Sequence, residues 1–206
     1  MHRPILLALS DGPLSPEEEA KILQDVKVPE DMQLSLFDPA AGGYVANAGE
    51  STSRGVEVEV DARFATGWTA YASTGLVDAE FDAFTDSFGS DASGNRLPFA
   101  PKHTVALGFQ HTRTVGQGLQ LDAGAEVQRI GDFYYDPSNL ESENYLLLGA
   151  SVGLSMKRWR AALFGRNLLD EEYVPIAFQA NPADPTFFVG ENAPPRTFGV
   201  TIGFSF

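Results

Sequence analysis

The side chains able to do chemistry are few and widely spaced. The chain has three histidines and no cysteine, so thiolate metal sites and disulfides are ruled out. His103 and His111 share a side of an extended strand but lie eight residues apart. At about 3.3 Å per residue they stand roughly 26 Å from each other, too far to share a metal. The H-E-x-x-H zinc motif is missing. Gly149-Ala150-Ser151-Val152-Gly153 has the letters of a G-x-S-x-G nucleophile elbow. That elbow needs a strand-to-helix turn, whereas here apolar–polar alternation runs straight through the motif. Ser151 therefore reads as a small residue on a strand's polar face. Triads are assembled from distant positions, so a Ser–His–acid site stays open at this level. Asp86, Asp91 and Asn95 offer calcium-type oxygen donors without the Gly and Glu of an EF-hand loop, which suits a solvated loop. No catalytic residue, metal site or cofactor is expected.

The elements that must position these groups are strands. Val56, Val58, Val60, Ala62 and Phe64 interleave with Glu57, Glu59, Asp61 and Arg63. Leu119, Leu121, Ala123, Ala125 and Val127 interleave with Gln120, Asp122, Gly124, Glu126 and Gln128. Similar alternation covers 105–110, 146–154 and 158–168, and a strand is expected over 68–81. The last stretch sets Phe198, Val200, Ile202, Phe204 and Phe206 against Thr197, Gly199, Thr201, Gly203 and Ser205. One apolar and one polar face per strand is the signature of period two. With 31–37, about eight strands are expected, most near the roughly 9–11 residues needed to cross a bilayer at a tilt.

Connections alternate in length. Tight turns at 65–67, 114–118 and 156–157 separate long links at 38–53, 82–102, 132–143 and 169–195. Short periplasmic turns opposite long extracellular loops give such a pattern in membrane barrels. Trp68 and Trp159 flank short turns, while Tyr134, Tyr135 and Tyr145 flank a long one, as an aromatic girdle at two levels requires. Residues 1–30 read differently. Ser15-Pro16-Glu17-Glu18-Glu19 starts a helix expected to run to about Val26. Ile5–Leu9 is too short for a secretory core.

Composition narrows the class. Of 206 residues, 28 are acidic and 14 basic, a net charge of −14. This argues against nucleic acid and against docking on anionic lipid through a polybasic patch. No run approaches the roughly 20 apolar residues of a spanning helix.

Several phrases resemble one family. Asn47–Glu57 is similar to the NAGxxxSRGVE lead into a late barrel strand, and Pro98–Thr104 to P-x-APKH. Phe133–Tyr145 resembles DPxN…Y, Asn167–Tyr173 resembles NLxDxxY, and Pro195–Phe198 carries the PRT that opens a terminal strand. Over 31–206 the chain resembles the C-terminal barrel of a TonB-dependent outer-membrane receptor. That family's barrels have about 22 strands around a plug, so the resemblance implies a fragment whose N-terminal plug and TonB box are absent. The expected fold is all-β, an antiparallel transmembrane barrel segment, drawn as an open curved sheet in isolation.

The resemblance also implies roles. Full-length, such a receptor imports a scarce ligand such as a ferric siderophore, with energy from TonB through the plug. Phe133, Tyr134, Tyr135, Phe178, Phe187 and Phe188 would supply loop aromatics for ligand contact or loop packing. The terminal strand ending at Phe206 would be read by the barrel assembly machinery, and Glu57, Glu59, Asp61, Asp122 and Glu126 would line the lumen. The alternative is a small autonomous eight-stranded barrel that anchors rather than transports.

Overall fold

The computed structural model describes residues 49–85, 91–116, 118–178 and 187–205, together with the backbone of strands at 5–7, 20–22, 26–27, 33–38 and 42–47 and of residue 179. Among the described residues fourteen strands follow in chain order. The first five are β1 Ile5–Leu7, β2 Ala20–Ile22, β3 Val26–Lys27, β4 Gln33–Asp38 and β5 Gly42–Asn47. Next come β6 Glu50–Ala65, β7 Trp68–Ala83, β8 His103–Val115, β9 Leu119–Ile130, β10 Tyr145–Met156 and β11 Trp159–Arg166. The last are β12 Ile176–Gln179, β13 Phe188–Glu191 and β14 Thr197–Phe204.

One antiparallel sheet dominates, in the order β14-β11-β10-β9-β8-β7-β6-β3. Tight turns join β6 to β7, β8 to β9 and β10 to β11. Ala65 pairs with Trp68 across Thr66-Gly67, and Met156 pairs with Trp159 across Lys157-Arg158. Gly67 has φ +76°, and a Cβ there would lie 2.0 Å from the Thr112 carbonyl oxygen. Only glycine fits both the turn and that approach. The sheet's two edges, β14 and β3, lie at opposite ends and do not meet. An eight-stranded closed barrel, the autonomous alternative, is therefore not the architecture seen.

Three sequence expectations shift. The 31–37 strand exists as β4, but it pairs with β5 in a separate hairpin and not in the main sheet. The expected 38–53 link contains β5 and the start of β6. Its glycines and Asn suggest a loop, but pairing with β4 on one side and β7 on the other overrides that local preference. The helix expected from Ser15 to about Val26 is not present in its second half. Ala20–Ile22 and Val26–Lys27 are extended, satisfied by pairing with β1 and β6, and residues 15–19 lie outside the described residues.

Register divides the side chains into two faces. Trp159, Ala161 and Leu163 pair with Phe204, Ile202 and Val200, and on the other side with Met156, Leu154 and Val152. The same face continues through Leu121, Ala123 and Val127, then Leu107 and Phe109, then Ala70 and Ala72, to Val60 and Val58. It is uncovered: Leu163 is 57% exposed, Val200 63% and Ile202 70%. More than a dozen large apolar side chains stand open on it. Burying each is worth about 1.5–3 kcal/mol, so in water the forgone stabilisation would be a few tens of kcal/mol. A domain's whole stability is only about 5–15 kcal/mol, so this face is built for hydrocarbon.

Buried apolar side chains lie elsewhere. Among the described residues they are Ala79, Phe81, Phe84, Ala92, Leu97, Phe133 and Ala177, all at the long-loop end.

Candidate functional site: the loop cap and the polar face

The cap begins where β6 and β7, sixteen residues each, outrun β8. The last β7–β8 pair is Leu76–His103, so Val77–Ala83 have lost that partner. The following loop folds back to replace it. Leu97 N donates to Ala79 O (2.9 Å), Phe81 N to Asn95 O (2.9 Å) and Ala92 N to Phe84 O (2.9 Å). Phe81, 1% exposed, stacks on Phe84 at 4.7 Å and anchors this unit.

The three long loops then join. Asn95 Nδ2 donates to Pro137 O (2.7 Å), and Phe99 N to Tyr134 O (2.8 Å). Phe99, Phe133 and Tyr135 form an aromatic cluster, and the Tyr135 hydroxyl donates to Val174 O at 2.6 Å. Tyr145 stacks on Tyr173 at 4.0 Å. Asn167, with φ +47°, ties the third loop: its Nδ2 donates to Glu171 O and its Oδ1 accepts from Glu171 N, both at 2.9 Å. Arg196 holds Asp170 through its backbone N–H (2.9 Å) and guanidinium (3.3 Å).

Electrostatics follow this packing. Burial pushes the Tyr135 phenol up, and the nearby Glu143 carboxylate adds to it. Desolvation raises Asp132, but the Lys102 hydrogen bond, its own backbone N–H and the charges of Lys102 and His103 outweigh it, leaving it below the ordinary value. Ser93 hydroxyl and backbone hydrogen bonds hold Asp91 down. Asp91 thus belongs to a local turn and Asn95 to a tether between loops, while Asp86 lies outside the described residues. Among the described residues no group of His, Asp and Glu is placed to hold a metal.

The polar face lies below the cap. Glu57, Glu59, Asp61, Asp122 and Glu126 all fall on it, with Tyr71, Gln110, Ser151, Phe164 and Arg166. Thr112 Oγ1 donates to Asp122 Oδ1 at 2.9 Å, and Gln128 donates to Glu126. Tyr71 lies flat over Gly108, where a Cβ would come within 2.1 Å of the ring. Phe164 covers Gly199 in the same way and sits beneath the Arg166 guanidinium at 5.2 Å. A concavity of about 270 Å³ opens between Tyr71, Gln110, Glu126, Ser151, Phe164 and Arg166. Ser151 continues strand β10, and register sets it on the face opposite His103 and His111. The elbow letters carry no elbow here, and no Ser–His pair forms between these residues.

The girdle candidates separate. Trp68 and Trp159 stand on the apolar face beside short turns, Trp68 stacked on His111 at 4.1 Å and Trp159 against Phe204 at 4.7 Å. Tyr145 pairs with Ile130 in register with Gln128 and Glu126, on the polar face. It is a cap-packing residue, because the β9–β10 register turns it inward. Tyr135 packs likewise, and Tyr134 bridges to Glu141 and accepts from Phe99. Phe198, Val200, Ile202 and Phe204 line the apolar face of edge strand β14, and Phe206 lies outside the described residues. Sequence reasoning singled out the Asn167–Tyr173 phrase without assigning roles to Asn167 or Tyr173. The only signal for them was that phrase itself.

Comparisons with known proteins agree with this geometry. The family described as TonB dependent receptor-like, beta-barrel matches residues 28–168. The pesticin receptor of Yersinia pestis is 29% identical over 145 residues, 69% of this chain and 21% of that protein. The ferrichrome outer membrane transporter/phage receptor of Escherichia coli K12 is 29% identical over 149 residues, 69% of this chain and 19% of that protein. Among solved structures, the ferric yersiniabactin uptake receptor FyuA from Yersinia pestis superposes with a TM-score of 0.70 at 26% identity, covering 86% of this chain and 26% of that one. The siderophore receptor PiuA from Acinetobacter baumannii shares the fold, with a TM-score of 0.63 at 21% identity, 90% of this chain and 25% of that one. The chain spans about a fifth of the curated relatives and about a quarter of the solved receptors. Strands, uncovered apolar face, loop cap and matched sequence together place this chain in the TonB-dependent receptor-like β-barrel family of the Gram-negative outer membrane.

Proposed function

We propose that this chain supplies the C-terminal barrel wall and part of the ligand-facing cap of a receptor that imports a scarce ligand, a ferric siderophore being the best fit. The observation that carries this reading is a cap of three interlocked loops raised above a sheet whose apolar face is open. The cap exposes Phe99, Phe178 and Phe187 at 49%, 41% and 53%. Phe99 holds φ 55°, a conformation that costs a bulky residue roughly 1–3 kcal/mol, and such strain tends to gather at binding surfaces. Relatives named for ferrichrome and ferric yersiniabactin support the ligand class. Energy would arrive from TonB through a plug seated against the polar face, with Glu57, Glu59, Asp61, Asp122 and Glu126 as its acidic wall. Residues 31–206 would form the barrel portion, Trp68 and Trp159 one aromatic girdle, and edge strand β14 the surface for strand addition by the assembly machinery. No chemical step is assigned to the chain.

The test is to recover the chain from the outer membrane and titrate it in detergent with hydroxamate, catecholate and phenolate ferric siderophores. One class should bind, at least tenfold more weakly after Phe178→Ala with Phe187→Ala. A chain that stays folded and monomeric in plain buffer, or that binds no class better than its iron-free form, would overturn the reading.

A further inference from the structure

Among the described residues the charges differ between the two ends of the sheet. Segments 63–69, 112–121, 154–161 and 202–205 make up the short-turn rim and contain no Asp or Glu. They do contain Arg63, Arg113, Lys157, Arg158 and Arg160. At the opposite end three cations are ion-paired, Arg96 with Asp78 (2.8 Å), Lys102 with Asp132 (3.3 Å) and Arg196 with Asp170 (3.3 Å), while Arg129 donates to Asn144 Oδ1 (3.1 Å). Among the described residues no carboxylate lies within ion-pair distance of the five rim cations, and four of those cations flank or form the turns themselves.

The neighbours of these cations define the partner. The rim is continuous with the apolar face, and Arg113 stands on that face, paired in register with Leu121 beside Val115. Trp68 and Trp159, the chain's two tryptophans, mark the same level. An indole has an apolar body and a polar N–H, and it settles where hydrocarbon meets headgroups. Unpaired cations just beyond such a line meet phosphates at headgroup depth. An acidic soluble protein would not need the adjoining hydrocarbon-facing surface.

We infer that the short-turn rim is a contact surface for anionic phospholipid headgroups, with Arg113 on the apolar face and Lys157 and Arg158 at the β10–β11 turn as its cations. The net charge of −14 conceals this surface, because among the described residues most acids lie away from it, toward the long-loop end. The inference rests on the outer-membrane placement and not on ligand import. Each basic residue near an anionic bilayer strengthens association about fivefold, and salt weakens it within a Debye length of roughly 8–10 Å.

Both tryptophans are at the rim, so they report the lipids beside it. The chain in detergent micelles doped with brominated phosphatidylglycerol or brominated phosphatidylcholine should show stronger fluorescence quenching by the anionic lipid, by several-fold in apparent affinity. Arg113→Gln with Lys157→Gln and Arg158→Gln should bring the two lipids to near parity, and so should high salt on the unaltered chain. Equal quenching by both lipids in the unaltered chain, or a preference that persists through the triple substitution and high salt, would overturn the inference. Absence of quenching by either lipid would overturn the membrane placement with it.

Discussion

Replacing Phe81 with Ala should loosen the cap and leave the membrane sheet intact. Phe81 is the largest fully buried side chain among the described residues, and its ring stacks on Phe84 at 4.7 Å. Truncating a buried Phe to Ala costs about 3–5 kcal/mol through lost transfer energy and the cavity left behind. The buried cluster around that ring is Ala79, Phe84, Ala92 and Leu97, with Ala100 packed against it. The Ala92–Phe84, Gly94–Phe81 and Leu97–Ala79 backbone bonds, at 2.9, 2.7 and 2.9 Å, report on it directly. If the unit opens by itself, hydrogen exchange of those three amides should accelerate on the order of a hundred- to a few-thousandfold. Amides of the β9–β10 ladder, which share no packing with Phe81, should not change. Phe81→Leu should give a much smaller acceleration. Unchanged exchange at Ala92, Gly94 and Leu97 would show that the ring does not hold the cap. Equal acceleration in β9 and β10 would show that cap and sheet open as one unit, refuting their separation.

Three further outcomes are expected. Leu163→Arg should destabilise the membrane-inserted form by about 2–4 kcal/mol, as cations do at mid-depth on a lipid face, whereas Thr201→Arg on the opposite face should cost far less; urea unfolding from lipid compares the two. Gly108→Ala should force Tyr71 off its seat at about 1–3 kcal/mol, and adding Tyr71→Ala should relieve most of that strain in a double-mutant cycle. Asp132 is held below its ordinary value of 3.8, so its bond to Lys102 contributes stability above that value and loses it as pH falls through the lower folded value. Exchange of the Lys102 and Asp132 amides should rise in that acid window, and Lys102→Met should abolish the step.

Local pattern carried much of this protein. Alternation in 56–63, 119–128 and 197–204 is a period-two signal that needs no tertiary information, and it sorted lipid-facing from polar side chains as the register later paired them. Turn chemistry at Thr66-Gly67 and Lys157-Arg158 was equally local, as was the alternation of short and long connections. Parity alone did not place Tyr145. It stands where strand gives way to loop, and only pairing with Ile130 and stacking on Tyr173 turn it inward. The 42–47 strand depends on a partner strand for its hydrogen bonds, so its own residues did not reveal it.

The sequence by itself determined the two faces and the family, because side-chain alternation and short motifs are written along the chain. Only the tertiary structure decided which loops interlock and which charges gather. Tyr135 and Val174, or Arg63, Arg113 and Lys157, are far apart in the chain, and they share one end only because antiparallel pairing returns every second turn to the same rim.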